Sequence, residues 1–247
     1  MAIEGFQKYM TAITNEARRF TNEIAAELRS GTGSTVWASY LFNLPGPRVL
    51  RRKVSPPEEL FRVLFYGFSE ISEAYERLQD FEVYIRRFPY QRSRVSNPRH
   101  LSHTIDTYLN EVYVLQQRLL SYGRRVRRYA EKRIAKAEVG RVADALERMV
   151  LATFEGIVQT RGASVHQTRH KDDDVSRLGT LDLLVNHGRA SDLQGFYAVE
   201  SARIRRKWQS TVHNNNREIK RLLNVYFSAL HPYVFGPKVR LVGNCPA

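Results

Sequence analysis

The 247-residue chain has a single cysteine, Cys245, and no apolar run long enough to cross a membrane, which takes about 18 consecutive residues. One cysteine excludes an internal disulfide framework and a thiolate metal cluster, and it is typical of the reducing cytosol. The start, MAIEGFQKYM, lacks the basic and apolar regions of a secretory signal. These absences predict a cytoplasmic protein without a membrane partner.

The common cofactor and metal motifs are also missing. The chain contains no Gly-x-Gly-x-x-Gly, no Gly-x-x-x-x-Gly-Lys-Ser/Thr and no His-Glu-x-x-His. The run Asp172-Asp173-Asp174 offers oxygen ligands for Mg²⁺, but consecutive acids at a helix start more often cap the helix and offset its dipole. Cys245 has no base beside it in the sequence and does not suggest a nucleophile. We therefore predict no metal and no cofactor.

Positive charge, by contrast, is abundant. The chain has 39 Lys and Arg residues against 25 Asp and Glu, a formal net charge of +14, and 31 of those 39 are Arg. Because a guanidinium pairs bidentately with phosphate, this excess favours RNA or DNA as a partner. The alternative explanation is a genome that prefers Arg codons.

The densest basic segment spans residues 118–148, with ten Arg and Lys against four acids. Residues three and four apart share one face of a helix, so Arg124, Arg128 and Lys132 are expected to form a stripe that follows phosphates. The alternative is an ordinary solvated helix face. We take these three residues as candidate RNA-binding residues.

Hydrophobic periodicity predicts helices along the whole chain, so the expected fold is an all-α helical bundle. Apolar residues alternate four and three apart from Leu101 to Tyr129, and a second seam runs from Val139 to Ile157. Such heptad spacing is typical of two long helices packed together, here an antiparallel hairpin. Gly123 and Gly140 are the two candidates for its turn.

Turn and capping signals divide the chain into three regions. Residues 1–54 form an N-terminal helix and a Gly/Pro-rich loop, residues 55–235 form the bundle, and residues 236–247 form a tail. Within the bundle, Ser55-Pro56-Pro57-Glu58 is a helix start. A short helix is expected from about Asp174 to Gly188, and a long one from Ser191 to Leu230, closed by Pro232 and Gly236.

An Arg followed five to seven residues later by a His occurs three times: Arg94 with His100, Arg161 with His166, and Arg206 with His213. Arg is so frequent in this chain that the spacing alone carries little information. Context favours the second pair, because it directly follows the predicted hairpin and precedes the predicted short helix.

The segment from Thr160 to Val185 resembles the signature region of HEPN domains, which are small all-helical domains and often ribonucleases. The resemblance implies that Arg161 and His166 are catalytic. It also implies a homodimer in which two such pairs line one cleft and cleave RNA by attack of the 2′-hydroxyl, without a metal ion. Gly162 departs from the family pattern, where a polar residue commonly follows the motif Arg.

Family members of this kind often act as bacterial toxins or antiviral effectors, so the resemblance implies an inhibitory antitoxin or a defence-system protein as a partner. Arg169 and His170, just behind the pair, are candidates for further RNA contacts, the alternative being exposed turn residues. Two other functions stay open. One is a non-catalytic basic helical module that binds RNA or DNA, and the other is a coiled-coil scaffold.

Overall fold

The computed structural model describes residues 4–29, 56–87, 95–166, 172–186, 188 and 190–236. Within these ranges the chain forms six α-helices, one 3₁₀ turn and no β-strand, which confirms the predicted all-α fold. The helices are α1 (Gly5–Arg29), α2 (Pro56–Arg86), α3 (Asn97–Ala130), α4 (Lys136–His166), α5 (Asp173–Asn186) and α6 (Gln194–Phe235), with the 3₁₀ turn at Ser191–Leu193. No helix in these ranges is both long and apolar enough to span a membrane. The Gly/Pro-rich loop before α2, and the tail beyond Gly236, lie outside the described residues.

These helices divide into two compact units. The first unit comprises the described residues of Met1–Phe68, Arg125–Gly140 and Asn224–Ala247. It therefore holds α1, the start of α2, the connection between α3 and α4, and the end of α6. The second unit comprises Ser69–Arg124 and Arg141–Leu223, which include α5 and the remaining parts of the other helices.

In the first unit, α1 packs on the end of α6 through aromatic rings. Tyr9 is fully buried, and its ring centroid lies 4.7 Å from that of Phe227. The backbone N–H of Phe6 donates to the Asn224 side chain at 3.2 Å. A Cβ atom at Gly5 would overlap the Asn224 carbonyl oxygen, so the two helices meet at a residue without a side chain.

The predicted antiparallel hairpin of α3 and α4 is confirmed. All nine residues of the first seam are buried: Leu101, Ile105, Tyr108, Val112, Leu115, Leu119, Tyr122, Val126 and Tyr129. In the second unit the Arg124 guanidinium lies 2.7 Å from the Glu147 carboxylate. Arg124 precedes the turn and Glu147 follows it, so the two helices run antiparallel at this contact.

The turn of the hairpin lies at residues 131–135, so both glycine candidates were wrong. Gly123 lies inside α3 and Gly140 lies near the start of α4. The helix instead ends in tight backbone bonds, with Lys132 N–H donating to Tyr129 O at 3.3 Å and Arg133 N–H to Ala130 O at 2.9 Å. Such 3₁₀-type bonds end a helix without a glycine.

The last helix differs from its prediction in two respects. Pro232 lies inside α6, which continues to Phe235, so the proline does not close the helix. The proline ring removes one backbone donor but leaves the following residues free to stay helical. The helix ends before Gly236, whose N–H donates a hydrogen bond to the Pro232 carbonyl at 3.1 Å. The helix also begins at Gln194, after the 3₁₀ turn at Ser191–Leu193, and not at Ser191 as expected.

Candidate functional site

Arg161 and His166 both lie on α4, which runs without a break to His166. Gly162 does not interrupt this helix, since one glycine weakens a helix without ending it. The structure describes only the backbone of this pair. Positions five apart on an α-helix differ by about 140° around the axis and about 7.5 Å along it. Arg169 and His170 lie outside the described residues.

The short helix that follows the pair is capped by Asp172. Its carboxylate Oδ1 accepts the N–H groups of Asp174 at 2.8 Å and Val175 at 3.1 Å. Two of the free donors at the start of α5 are thereby satisfied, as the sequence predicted for this acidic run. The other oxygen, Oδ2, accepts the indole N–H of the buried Trp208 at 2.8 Å, which ties the start of α5 to α6.

Asp174, the third residue of the acidic run, is surrounded by cationic side chains. Its carboxylate lies 2.6 Å from Lys207, 3.1 Å from Arg203 and 3.6 Å from Arg177. Hydrogen bonds from Lys207 and Arg203 hold the pKa of this carboxyl below its ordinary value of 3.8. Asp172 and Asp174 thus fasten α5 to its surroundings. Among the described residues no group of His, Cys, Asp and Glu is placed to hold a metal ion.

The basic residues predicted to bind RNA lie around the end of the hairpin. Residues 125–140, which we call the hairpin tip, contain six Arg and Lys against two Glu. Arg128 and Lys132, two of the three candidates, are both exposed on this tip. The third candidate, Arg124, is also exposed but is paired with Glu147.

Two contacts give the hairpin tip its shape. The Arg127 guanidinium donates to Glu131 at 2.7 Å, and the Arg133 guanidinium lies 3.9 Å from the centre of the Tyr129 ring. A guanidinium over an aromatic face is an attractive cation–π contact. The tip therefore presents Arg128 and Lys132 from an ordered turn.

The second unit also contains a pocket that the sequence did not predict. Its volume is about 500 Å³. Phe81, Val83, Tyr84 and Arg87 line it from the end of α2, and His100, His103, Thr104 and Thr107 line it from the start of α3. The only signal in the sequence was the spacing of His100 and His103, which puts two imidazoles on one helix face.

Arg205 of α6 fixes the two helix ends that form this pocket. Its guanidinium donates to the Ile85 carbonyl at 3.1 Å, at the end of α2, and to the Asn97 side chain at the start of α3. Burial lowers the pKa of His100, and the positive charge of Arg205 lowers it further. Both effects favour the neutral form of the His100 imidazole.

Of the two other Arg–His matches, the structure describes both residues of only one, Arg206 with His213. Arg94 lies outside the described residues, and His100 belongs to the pocket. His213 is exposed, and its Nδ1 lies 3.1 Å from Glu82. Arg206 instead bonds the Ala202 carbonyl of its own helix, so the spacing alone does not mark a shared site there.

No family model, no curated protein and no solved structure matches this chain. The resemblance of Thr160–Val185 to HEPN domains therefore stays a prediction.

Proposed function

We propose that this protein is a metal-independent endoribonuclease of the HEPN type that acts in the cytoplasm as a homodimer. The observation that carries the proposal is the position of Arg161 and His166. Both lie at the end of the second hairpin helix, directly before the capped helix α5. A toxin or an antiviral effector held in check by a partner protein is the biological role that this activity implies.

The proposed chemistry needs one proton taken from the 2′-hydroxyl and one given to the leaving 5′-oxygen. An imidazole is suited to either transfer, so we assign both to His166, and the guanidinium of Arg161 would stabilise the negative charge that develops on the phosphate. The products would be a 2′,3′-cyclic phosphate and a 5′-hydroxyl. One His per chain would have to serve as both acid and base, and the resemblance to HEPN domains implies that a second copy of the chain supplies the other pair.

The test is cleavage of end-labelled single-stranded RNA in the presence of EDTA. Wild type is expected to cleave, and His166→Ala is expected to lower the rate by about 10² or more, the usual contribution of an acid or base group. Arg161→Ala should lower it as well. His213→Ala is the matched control, because His213 also follows an Arg but is bound to Glu82.

Equal cleavage by wild type and His166→Ala would reject the assignment of the site. Loss of cleavage in His213→Ala alone would do the same, because the activity would then belong to another part of the chain. Circular dichroism and thermal melting of each variant separate a lost group from a lost fold.

A non-catalytic basic module that binds RNA is the second candidate, and the exposed cations of the hairpin tip favour it. RNA affinity should then fall steeply with salt, and Arg128→Glu with Lys132→Glu should weaken it at least tenfold. Arg206→Glu is the control, since Arg206 is exposed on α6 and bonds its own helix at the Ala202 carbonyl. Salt-dependent binding without cleavage would favour this candidate, and the absence of binding would favour a scaffold.

A further inference from the structure

The pocket between the end of α2 and the start of α3 has the size and lining of a small-molecule site. Its volume of about 500 Å³ lies within the usual range for ligand pockets, roughly 300–1,000 Å³. Most of the exposed surface of the lining is apolar, although several of the eight lining residues carry polar groups. That combination is typical of sites in which an apolar wall holds a ring and polar groups orient it.

The apolar wall of this pocket is aromatic and open to solvent. Tyr84 is 51% exposed, and its ring stands edge-on to the buried Phe81 at a centroid distance of 5.6 Å. Phe81 is in turn packed edge-on against Tyr108 at 5.6 Å. The exposed ring is thereby held in place by buried rings, and an aromatic face of this kind stacks on a nucleic acid base.

The polar side of the pocket favours an anion. Arg87 and His103 are both exposed in its lining, and none of the described residues that line it is acidic. Glu82, which follows Phe81 in the chain, is bound to His213 and Asn216. A guanidinium near an imidazole is a common way to bind phosphate.

Two hydroxyl groups complete the polar lining. Thr104 donates to the His100 carbonyl at 2.8 Å, and Thr107 donates to the His103 carbonyl at 2.7 Å. Each hydroxyl oxygen has used its donor and still has a free lone pair to accept a hydrogen bond. The two threonine hydroxyls can therefore accept hydrogen bonds from N–H or O–H groups of a ligand, while Arg87 and His103 bind its negative charge.

We infer that this pocket binds a nucleoside monophosphate unit, with the base against Tyr84 and the phosphate at Arg87 and His103. The ligand can be a free nucleotide or one nucleotide of an RNA strand, since both carry the same base, ribose and phosphate. This site belongs to the second unit and involves neither Arg161 nor His166, so it stands whether or not the protein cleaves RNA.

The test is isothermal titration calorimetry of the full-length His166→Ala protein with AMP, adenosine and inorganic phosphate. AMP is expected to bind, and adenosine and phosphate are each expected to bind about tenfold more weakly or worse, because each offers one half of the contacts. Tyr84→Ala and Arg87→Ala should each weaken AMP binding about fivefold or more. The His166→Ala background keeps RNA probes intact if the ribonuclease proposal is correct.

Two variants on the same helix α2 serve as controls. Tyr66 is 59% exposed and Arg62 is exposed, and both lie in the first unit. Tyr66→Ala and Arg62→Ala should therefore leave AMP binding unchanged. If they weaken it as much as the pocket variants do, binding reflects general charge and the inference is wrong.

A five-nucleotide poly(A) RNA separates the two sources of the ligand. Binding much tighter than that of AMP, and weakened by Tyr84→Ala, would support a position for an RNA nucleotide. Binding no tighter than that of AMP would support a free nucleotide. If AMP does not bind and the RNA binds equally well to Tyr84→Ala, the pocket is not a nucleotide site.

Discussion

The carboxylate of Asp174 lies within ion-pair distance of three cationic side chains, those of Arg177, Arg203 and Lys207. Its pKa in the folded protein lies below the ordinary value of 3.8, chiefly because Lys207 and Arg203 donate hydrogen bonds to the ionised form. A group whose pKa is lower in the folded state stabilises the fold above its unfolded pKa. That contribution disappears as the pH falls through the lowered pKa.

Asp174→Asn should therefore lower the free energy of unfolding at pH 7 by about 1 kcal/mol, as expected for an ion-pair cluster at a surface. The difference from wild type should be constant above about pH 5 and shrink below about pH 4. Urea unfolding at pH 7, 5 and 3 measures it. Asp173→Asn is the control, because Asp173 is exposed; an Asp174→Asn deficit that persists unchanged at pH 3 would contradict the assignment.

The sequence predicted the role of this acidic run but not its partners. Three acids before an apolar pattern indicate a helix cap, and Asp172 is the residue that caps α5. Trp208, which binds the other oxygen of Asp172, lies 36 residues further along the chain. Local spacing contains no information about a contact of that kind, because it depends on how α5 packs on α6.

Helices were the part of the fold that the sequence predicted best. A heptad seam places its residues on one face whatever lies opposite, and all nine predicted seam residues of α3 are buried. The turn was missed because it contains neither glycine nor proline. The helix ends in backbone bonds at Lys132 and Arg133, and the nearby contacts are those of Arg127 with Glu131 and of Arg133 with Tyr129. A search for turn residues detects neither kind of contact.

Packing of α1 on α6 depends on the absence of a side chain at Gly5. A methyl group there would overlap the Asn224 carbonyl oxygen and the Ser228 hydroxyl. Gly5→Ala should therefore destabilise the protein by about 1–3 kcal/mol, the usual cost of overpacking. The measurement is the midpoint of thermal or urea unfolding, compared with wild type.

Gly156→Ala is the matched control for this substitution. Gly156 lies within α4, and a Cβ atom there would meet nothing within 4 Å. Alanine should stabilise the helix by about 0.5–1 kcal/mol. If both variants shift stability in the same direction, close approach at Gly5 is not what holds α1 in place.

At the scale of the whole molecule, the sequence predicted charge but not shape. Net charge follows from composition, and the position of the basic segment follows from the order of the residues. Two of the residues in that segment, Arg128 and Lys132, are exposed. The pocket was not predictable, because Tyr84 and Arg87 come from one helix and His103 from the next. Only tertiary structure, with Arg205 joining both helix ends, brings these groups together.

A site shared by two subunits makes the proposed ribonuclease sensitive to subunit mixing. We expect that unfolding and refolding wild type together with a fivefold excess of His166→Ala lowers cleavage per wild-type chain to about one sixth, since random pairing leaves that fraction with a wild-type partner. Proteins mixed immediately before the assay control for competition for RNA. Unchanged activity per wild-type chain would show that one chain cleaves alone.

The hairpin and the contact of α1 with α6 become able to form at very different times during translation. Arg124 and Glu147 are 23 residues apart in the sequence, so α3 and α4 can pair soon after both have left the ribosome. The contact between Phe6 and Asn224 spans 218 residues. The ring centroid of Phe68 on α2 lies 5.5 Å from those of Phe6 and Tyr9, so α1 can pack on α2 early, but its contact with α6 has to wait until α6 has been made.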